Sequence, residues 1–226
     1  LVGKDISIVS DIAGTTRDVV MGAFNYKGTD FTVLDTAGIR RKSKVEEDVE
    51  YYSVNRAIKT IDEADVVLLM IDSVEGLSDQ DKKIANLIVR RGKGIILVLN
   101  KIDLLAGIGN ELEAIKDRVR FLFPILNFAP ITSISALKGQ DIGKLLDMVW
   151  MVWKQLNKRV DTARLNEAIK VWSEAYQPPR GGSGHYKVYY GTQISANPVK
   201  FLFFVNRVKE FPQIYIQYLK NNIRKD

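Results

Sequence analysis

The chain has 226 residues, 46% of them apolar, with 33 basic and 27 acidic side chains and a net charge of +6. With no cysteine and a single histidine, His185, it is barred from a disulfide framework, a cysteine-ligated metal or a histidine cluster, and a reducing compartment such as the cytoplasm is expected. Its most apolar run, Leu145 to Leu156, is broken by Asp147, Lys154 and Gln155 and falls short of the roughly 20 residues of a bilayer span, so neither a membrane segment nor a secretory signal is expected.

In chain order, the first legible piece is a polar turn, Gly14-Thr15-Thr16-Arg17-Asp18. Met21 to Tyr26 and Phe31 to Leu34, joined by Lys27-Gly28-Thr29-Asp30, predict an antiparallel hairpin at the edge of a sheet. Asp35-Thr36-Ala37-Gly38 follow it directly. Val66 to Ile71, Ile95 to Leu99 and Ala129 to Thr132 are nearly continuous apolar runs, the mark of parallel strands covered on both faces. Helical stretches lie between them, so the pattern is βαβ and predicts an α/β fold with a doubly wound, mainly parallel sheet. The second run ends on Asn100-Lys101-Ile102-Asp103, and the third is followed by Ser135-Ala136-Leu137. A helix from Asp141 to Asn157 closes the unit; its apolar stripe is too wide for burial on one side, which fits either a helix shared by two domains or a core helix with one exposed tryptophan.

After Lys158-Arg159 the pattern changes to a helix (Thr162 to Ala175, with Thr162 as N-cap), a Pro/Gly loop (Gln177 to Gly184), strands at Tyr186 to Thr192 and Lys200 to Val205, and a helix starting at Pro212. The expected domains are therefore 1–157 and a small α+β module at 158–226. Charge divides the same way. The second domain carries twelve basic and five acidic residues, net +7, and the first 21 and 22, net −1. Such a surplus draws a small domain to polyanions such as RNA, or simply keeps it soluble.

The four tetrads and turns carry chemistry through their places at strand ends, where ligands bind in such sheets. Asp35 can hold magnesium there, usually through water, with the Thr16 hydroxyl as second ligand. Gly38, lacking a side chain, lets its N–H approach a γ-phosphate. Asp103 can accept two hydrogen bonds from the guanine ring N–H and exocyclic amine, a pair adenine cannot supply. Asn100 would support the loop, the stem of Lys101 would cover the ring, and the Ala136 N–H in Ser135-Ala136-Leu137 would meet guanine O6. GTP or GDP with Mg2+ is the ligand this order implies. Against it, no phosphate-cradling G-x-x-x-x-G-K-[S/T] run occurs anywhere in the chain.

The runs Ser10-Asp11-Ile12-Ala13-Gly14-Thr15-Thr16-Arg17-Asp18 and Asp35-Thr36-Ala37-Gly38-Ile39-Arg40-Arg41-Lys42 resemble the second GTPase domain of the bacterial Der family, also called EngA. Ala163-Arg164-Leu165-Asn166, Lys187-Val188-Tyr189-Tyr190-Gly191-Thr192-Gln193 and Phe203-Phe204-Val205-Asn206 resemble its C-terminal KH-like domain, so the likeness covers essentially the whole chain. The resemblance implies a cytoplasmic, monomeric GTPase acting in large-subunit (50S) ribosome assembly, its KH-like domain contacting ribosomal RNA or the other domains. It also implies a further GTPase domain and a first strand with its phosphate loop ahead of Leu1, Leu1 to Lys4 being the end of the helix after that loop, and a last KH-like strand beyond Asp226. Ile39 stands where other GTPases place a water-orienting glutamine, so catalysis is expected from a potassium ion held by loop carbonyls, Ser10 and Ile12 being the candidates, alongside Thr16 and Gly38. The family usually has tryptophan where Ile102 stands, a change expected to spare Asp103.

Two other readings compete. One is a non-catalytic RNA- or ribosome-binding scaffold that holds no nucleotide, which detectable GDP binding would exclude. The other is a different G domain with a KH domain, such as Era, disfavoured because Gly181-Gly182-Ser183-Gly184 spells G-x-x-G between a helix and a strand rather than between two helices.

Overall fold

In the computed structural model, which describes residues 20–35, 58–105, 107–181 and 184–225, a two-residue turn sets the first element. Lys27 and Gly28 both have positive φ, 51° and 74°, the turn whose twist matches its flanking strands. It pairs β1 (Val20–Tyr26) with β2 (Thr29–Asp35) in antiparallel register, Val20 opposite Asp35 and Tyr26 opposite Thr29. The connection is tighter than the four residues that the sequence pattern gives. A lysine tolerates the left-handed region here because its ammonium is held 2.6 Å from the Asp147 carboxylate and 5.4 Å from the centre of the Trp150 ring. The Tyr26 hydroxyl donates to the same carboxylate at 2.7 Å.

Among the described residues a three-stranded parallel sheet forms the centre of the first unit, in the order β3 (Val66–Asp72), β4 (Gly94–Asn100), β5 (Ile131–Ser133). Five consecutive aliphatic residues, Ile95 to Leu99, are all buried in the middle strand. Alternate side chains go to opposite faces. Ile95, Leu97 and Leu99 share a core with Ala85 and Ile88 of α1 (Asp79–Arg90) and Val119 of α2 (Ile108–Leu122). Ile96 and Val98 pack instead with Leu145 of α3 (Ile142–Leu156). Helices on both faces make this the doubly wound α/β arrangement that the continuous apolar runs predict. Each fully buried aliphatic side chain contributes about 1.5–3 kcal/mol. The start of α1 is fixed by a reciprocal cap, Ser78 Oγ accepting from Asp81 N while Asp81 accepts from Ser78 N at 2.9 Å.

Two further features of this unit differ from expectation. β5 begins at Ile131 rather than Ala129, because Ala129 N is committed to Leu126 O in the preceding turn and Pro130 has no N–H to give. The β1–β2 hairpin is a separate sheet: among the described residues β2 pairs with β1 alone and β3 with β4 alone. Between β2 and β3 lies a cleft of about 530 Å³, lined by Phe31, Val33, Val66, Leu68, Val149 and Trp153.

The second compact unit, Lys154–Asp226, has its own core. Its helices α4 (Thr162–Ala175) and α5 (Gln213–Lys225) bury Leu165, Ile169, Trp172, Tyr215 and Leu219 against the inner face of β8 (Val188–Ser195) and β9 (Lys200–Val205). Along β9 exposure alternates strictly, Phe201, Phe203 and Val205 turning inward, Leu202 and Phe204 outward. The N-cap of α4 is Asp161, one residue before Thr162, because its carboxylate accepts from both Ala163 N and Arg164 N. The Pro/Gly stretch is less irregular than expected: β6 (Arg180–Gly181) pairs with β7 (Gly184–His185). Strand β8 starts two residues later than its sequence pattern, since Lys187 N is taken by the Asn206 side chain at 2.9 Å.

Asn166 pins α4 to β8 through both atoms of its amide, Nδ2 to Gly191 O and Gly191 N to Oδ1, each 2.9 Å. A Cβ on Gly191 would stand 2.8 Å from Ile169 Cδ1 and 3.1 Å from the Phe203 ring. Gly191→Ala is therefore expected to destabilise this unit by about 1–3 kcal/mol. Thermal melting checks it, and an unchanged midpoint would show that Ile169 yields freely.

Candidate guanine-nucleotide site

β3 and β4 run in register to the same edge, Asp72 opposite Asn100. The chain then turns sharply. Lys101 takes a left-handed conformation, φ 66° and ψ 33°, and residues Ile102–Leu104 form a 3-10 turn. Ile102 anchors that turn from beneath, with 2% of its surface exposed and its N–H directed to Ile134 O. This is a core role.

The Asn100 side chain ties the two loops together. Its Oδ1 accepts from Lys101 N at 2.8 Å and from Ala136 N at 3.0 Å. The Ala136 N–H, expected to face guanine O6, is thus shared with an amide oxygen in this structure. Ser135 is fully buried; its Oγ accepts from Lys138 N at 3.1 Å, and its backbone pairs with Gln140. Its hydroxyl also bonds Asp103, the largest influence holding that carboxyl below the usual carboxylate range, and Lys138 and Lys101 add to it. Asp103 therefore stays an ionised acceptor wherever an ordinary aspartate does, and loses that character only as pH falls through its lowered value. Leu137 projects into solvent, 87% exposed.

Asp72 is the site residue that sequence reasoning missed. It is 6% exposed; Oδ1 accepts from Val74 N at 2.9 Å and Glu75 N at 3.3 Å, and Oδ2 meets Lys101 Nζ at 2.5 Å. Burial alone would raise its pKa, but Lys101 and the two N–H groups outweigh it and hold the carboxyl low. Its contribution to stability is accordingly present above the usual carboxylate range and lost as pH falls through the lowered value. The available signal was an aspartate ending an apolar strand and followed by a turn. Beside it, Ser73 Oγ is buried without a hydrogen-bond partner among the described residues.

The structure thus brings Asn100, Lys101, Asp103, Ser135 and Ala136 to one edge of the sheet. Asp35 closes β2, its side chain lying outside the described residues. Ser10, Ile12, Thr16 and Gly38 lie outside them altogether. Among the described residues no group of three or more metal-binding side chains is assembled, and no helix is long and apolar enough to cross a membrane.

A doubly wound sheet with these loops at its carboxyl edge, followed by a compact α+β unit, defines the class: a GTPase-type domain joined to a KH-like domain. A family described as 50S ribosome-binding GTPase matches residues 1–101, and one described as the C-terminal KH-domain-like region of EngA bacterial GTPases matches residues 159–226. GTPase Der of Borreliella afzelii (strain PKo) is 47% identical over 225 residues, covering 100% of this chain and 51% of its own length. An Era variant from Aquifex aeolicus, solved with GDP·AlF4−, superposes with a TM-score of 0.55 at 27% identity, covering 99% of this chain and 80% of that one. Era in complex with MgGDPNP and nucleotides 1506–1542 of 16S ribosomal RNA gives 0.53 at 30% identity, with 98% and 78% covered. The chain belongs to the Der (EngA) family of GTPases, and it spans about half the length of the Der proteins it matches.

Proposed function

We propose that the chain is the guanine-nucleotide-binding and RNA-contacting half of a GTP-hydrolysing switch protein acting in 50S assembly, with residues 1–157 as GTPase domain and 158–226 as KH-like domain. The observation that carries it is the Asn100 carboxamide oxygen bridging Lys101 N and Ala136 N beside an Asp103 whose carboxyl is hydrogen-bonded by Ser135 and held below the usual carboxylate range. In this reading Asp103 accepts the guanine ring N–H and amine, and the Lys101 stem covers the ring. Ala136 N–H turns from Asn100 toward O6, with Ser135 and Leu137 framing the loop. Binding then selects guanine, because adenine would leave Asp103 unpaired.

For magnesium, the donor chemistry fits: Thr16 and Asp35 supply the hydroxyl and carboxylate oxygens a hard cation takes. When bound, it would neutralise charge on the phosphates. Gly38 offers its N–H to the γ-phosphate, and the carbonyls of Ser10 and Ile12 would hold potassium. The cleft between β2 and β3, flanked by Phe31, Val33, Val66 and Leu68 and with the facing strand edges unpaired among the described residues, supports the seating there of a further strand that leads into a phosphate loop. The partnerless Ser73 Oγ supports a polar segment covering the same edge.

The 50S role rests on the description of the family matching residues 1–101, and RNA contact on the +7 charge of 158–226 together with the Era complex with ribosomal RNA. A cytoplasmic location and a monomer remain part of the proposal. Phosphate release from GTP by the full-length protein tests the catalytic part. We expect turnover at least about tenfold faster in potassium than in sodium, because carbonyls placed to surround potassium do not close around the smaller sodium ion, and the charge then missing from the transition state is worth several kcal/mol. Equal rates would remove potassium and the Ser10 and Ile12 carbonyls from the mechanism; no turnover and no GDP binding would leave the scaffold reading.

A further inference from the structure

The buried carboxylate at the end of β3 has a use beyond its own turn. We infer that Asp72 is a positioning residue for guanine-nucleotide binding: by holding Lys101 Nζ, it stretches the lysine stem across the carboxyl edge of the sheet and keeps the left-handed turn that presents Asp103. The inference rests on the guanine-site reading above and adds to it a residue from the neighbouring strand.

The asymmetry of the pair supports this assignment. Asp72 is 6% exposed and the Lys101 side chain 52% exposed. An ammonium half in water can leave and be solvated, whereas a buried carboxylate cannot do without its partners. The aspartate, fixed by Val74 N and Glu75 N, is therefore the stationary end, and it decides where the lysine lies. Backbone geometry adds a second argument. Lys101 is a non-glycine residue at φ 66°. Such a conformation persists where its surroundings over-determine it. Two tethers do so here, Asn100 Oδ1 on its N–H and Asp72 on its Nζ. Strand register makes both possible, because Asp72 and Asn100 end their strands side by side.

The rival role is local: Asp72 could serve only to cap its own turn through Val74 N and Glu75 N. Asp72→Asn separates the two, since an amide oxygen can still accept from the turn while the charge facing Lys101 is lost. In the full-length protein, Asp72→Asn is expected to speed GDP dissociation and raise the KM for GTP by about tenfold, while kcat moves by less than about twofold. Lys101→Met cuts the same pair from its exposed end and should speed dissociation to a similar extent, which keeps the test available if Asp72→Asn folds poorly. In a Lys101→Met background, Asp72→Asn should add nothing further. An undiminished effect there, or an unchanged dissociation rate in Asp72→Asn alone, would reduce Asp72 to a turn cap. If Lys101→Met leaves GDP binding untouched the inference fails, and Asp103→Asn then shows whether the guanine reading falls with it.

Discussion

Asp103→Asn is expected to weaken GTP binding by about a thousandfold or more and to create binding of xanthine nucleotides. The carboxylate presents acceptors to both the ring N–H and the amine of guanine; an asparagine presents one acceptor and one donor, and the donor meets an N–H. Leaving buried polar groups unpaired in this way is what gives sites of this kind their large discrimination. Xanthine carries a carbonyl where guanine has the amine, so the amide is satisfied on both atoms. The loop itself should survive, because the Ser135 hydroxyl can donate to an amide oxygen as it does to Asp103. Competition of GTP and XTP for labelled GDP on the full-length protein measures both effects. Because Ser135, with Lys138 and Lys101, keeps the carboxyl low, wild-type guanine binding should be flat across the usual aspartate range and decline only below it. An unchanged preference for GTP in the variant would move the base to another part of the surface.

Replacing Lys187, Lys200 and Arg207 together by alanine is the second change with a large expected effect. Lys187 and Arg207 mark one end of the β8–β9 sheet, where Asn206 N donates to Lys187 O at 3.2 Å, and Lys200 opens β9 opposite Ser195 at the other. Between them the outer face carries the stacked Tyr190 and Phe204 rings, 4.2 Å apart, and exposed Leu202 and Ile194. Lys187 also lies 5.9 Å from the centre of the Tyr189 ring. If RNA phosphates run along this face, losing three cations should weaken binding on the order of a hundredfold, at about 1 kcal/mol per exposed contact. The slope of log affinity against log salt should flatten by about three, since each phosphate contact releases roughly one counterion. Titrating the full-length protein with ribosomal RNA fragments at several salt concentrations reads both quantities. An unchanged affinity and slope would mean that these residues do not face RNA.

Much of this architecture is legible in the linear pattern, because the pattern records burial. Ile95 to Leu99 is apolar at every position since both faces of β4 are covered. Phe201 to Val205 is apolar throughout as well, yet only Phe201, Phe203 and Val205 turn inward, so the one-sided burial of β9 is not written in its residue types. Where the pattern misleads, a competing local bond has decided the boundary. Asp161 displaces Thr162 as N-cap by accepting two N–H groups, and Asn206 intercepts the N–H with which Lys187 would have extended β8. The turn at Lys27-Gly28 is shorter than its composition indicates because a carboxylate on α3, distant in sequence, holds the lysine. The site divides similarly. Asn100, Lys101, Asp103 and Ala136 could be named from order and spacing; the partner of each could not.

The sequence by itself determined that this protein has two cores, that one is a sheet covered on both faces, and that the residues proposed to read guanine follow its strands, since these properties depend on the order and periodicity of the chain. The tertiary structure alone decided that Asn100 spans both loops, that Ser135 holds the Asp103 carboxyl below the usual carboxylate range, and that Asp72 meets Lys101. Those pairings arise from the register of β3, β4 and β5. Register places residues remote in the chain side by side, and a slip of one position would turn every side chain to the other face.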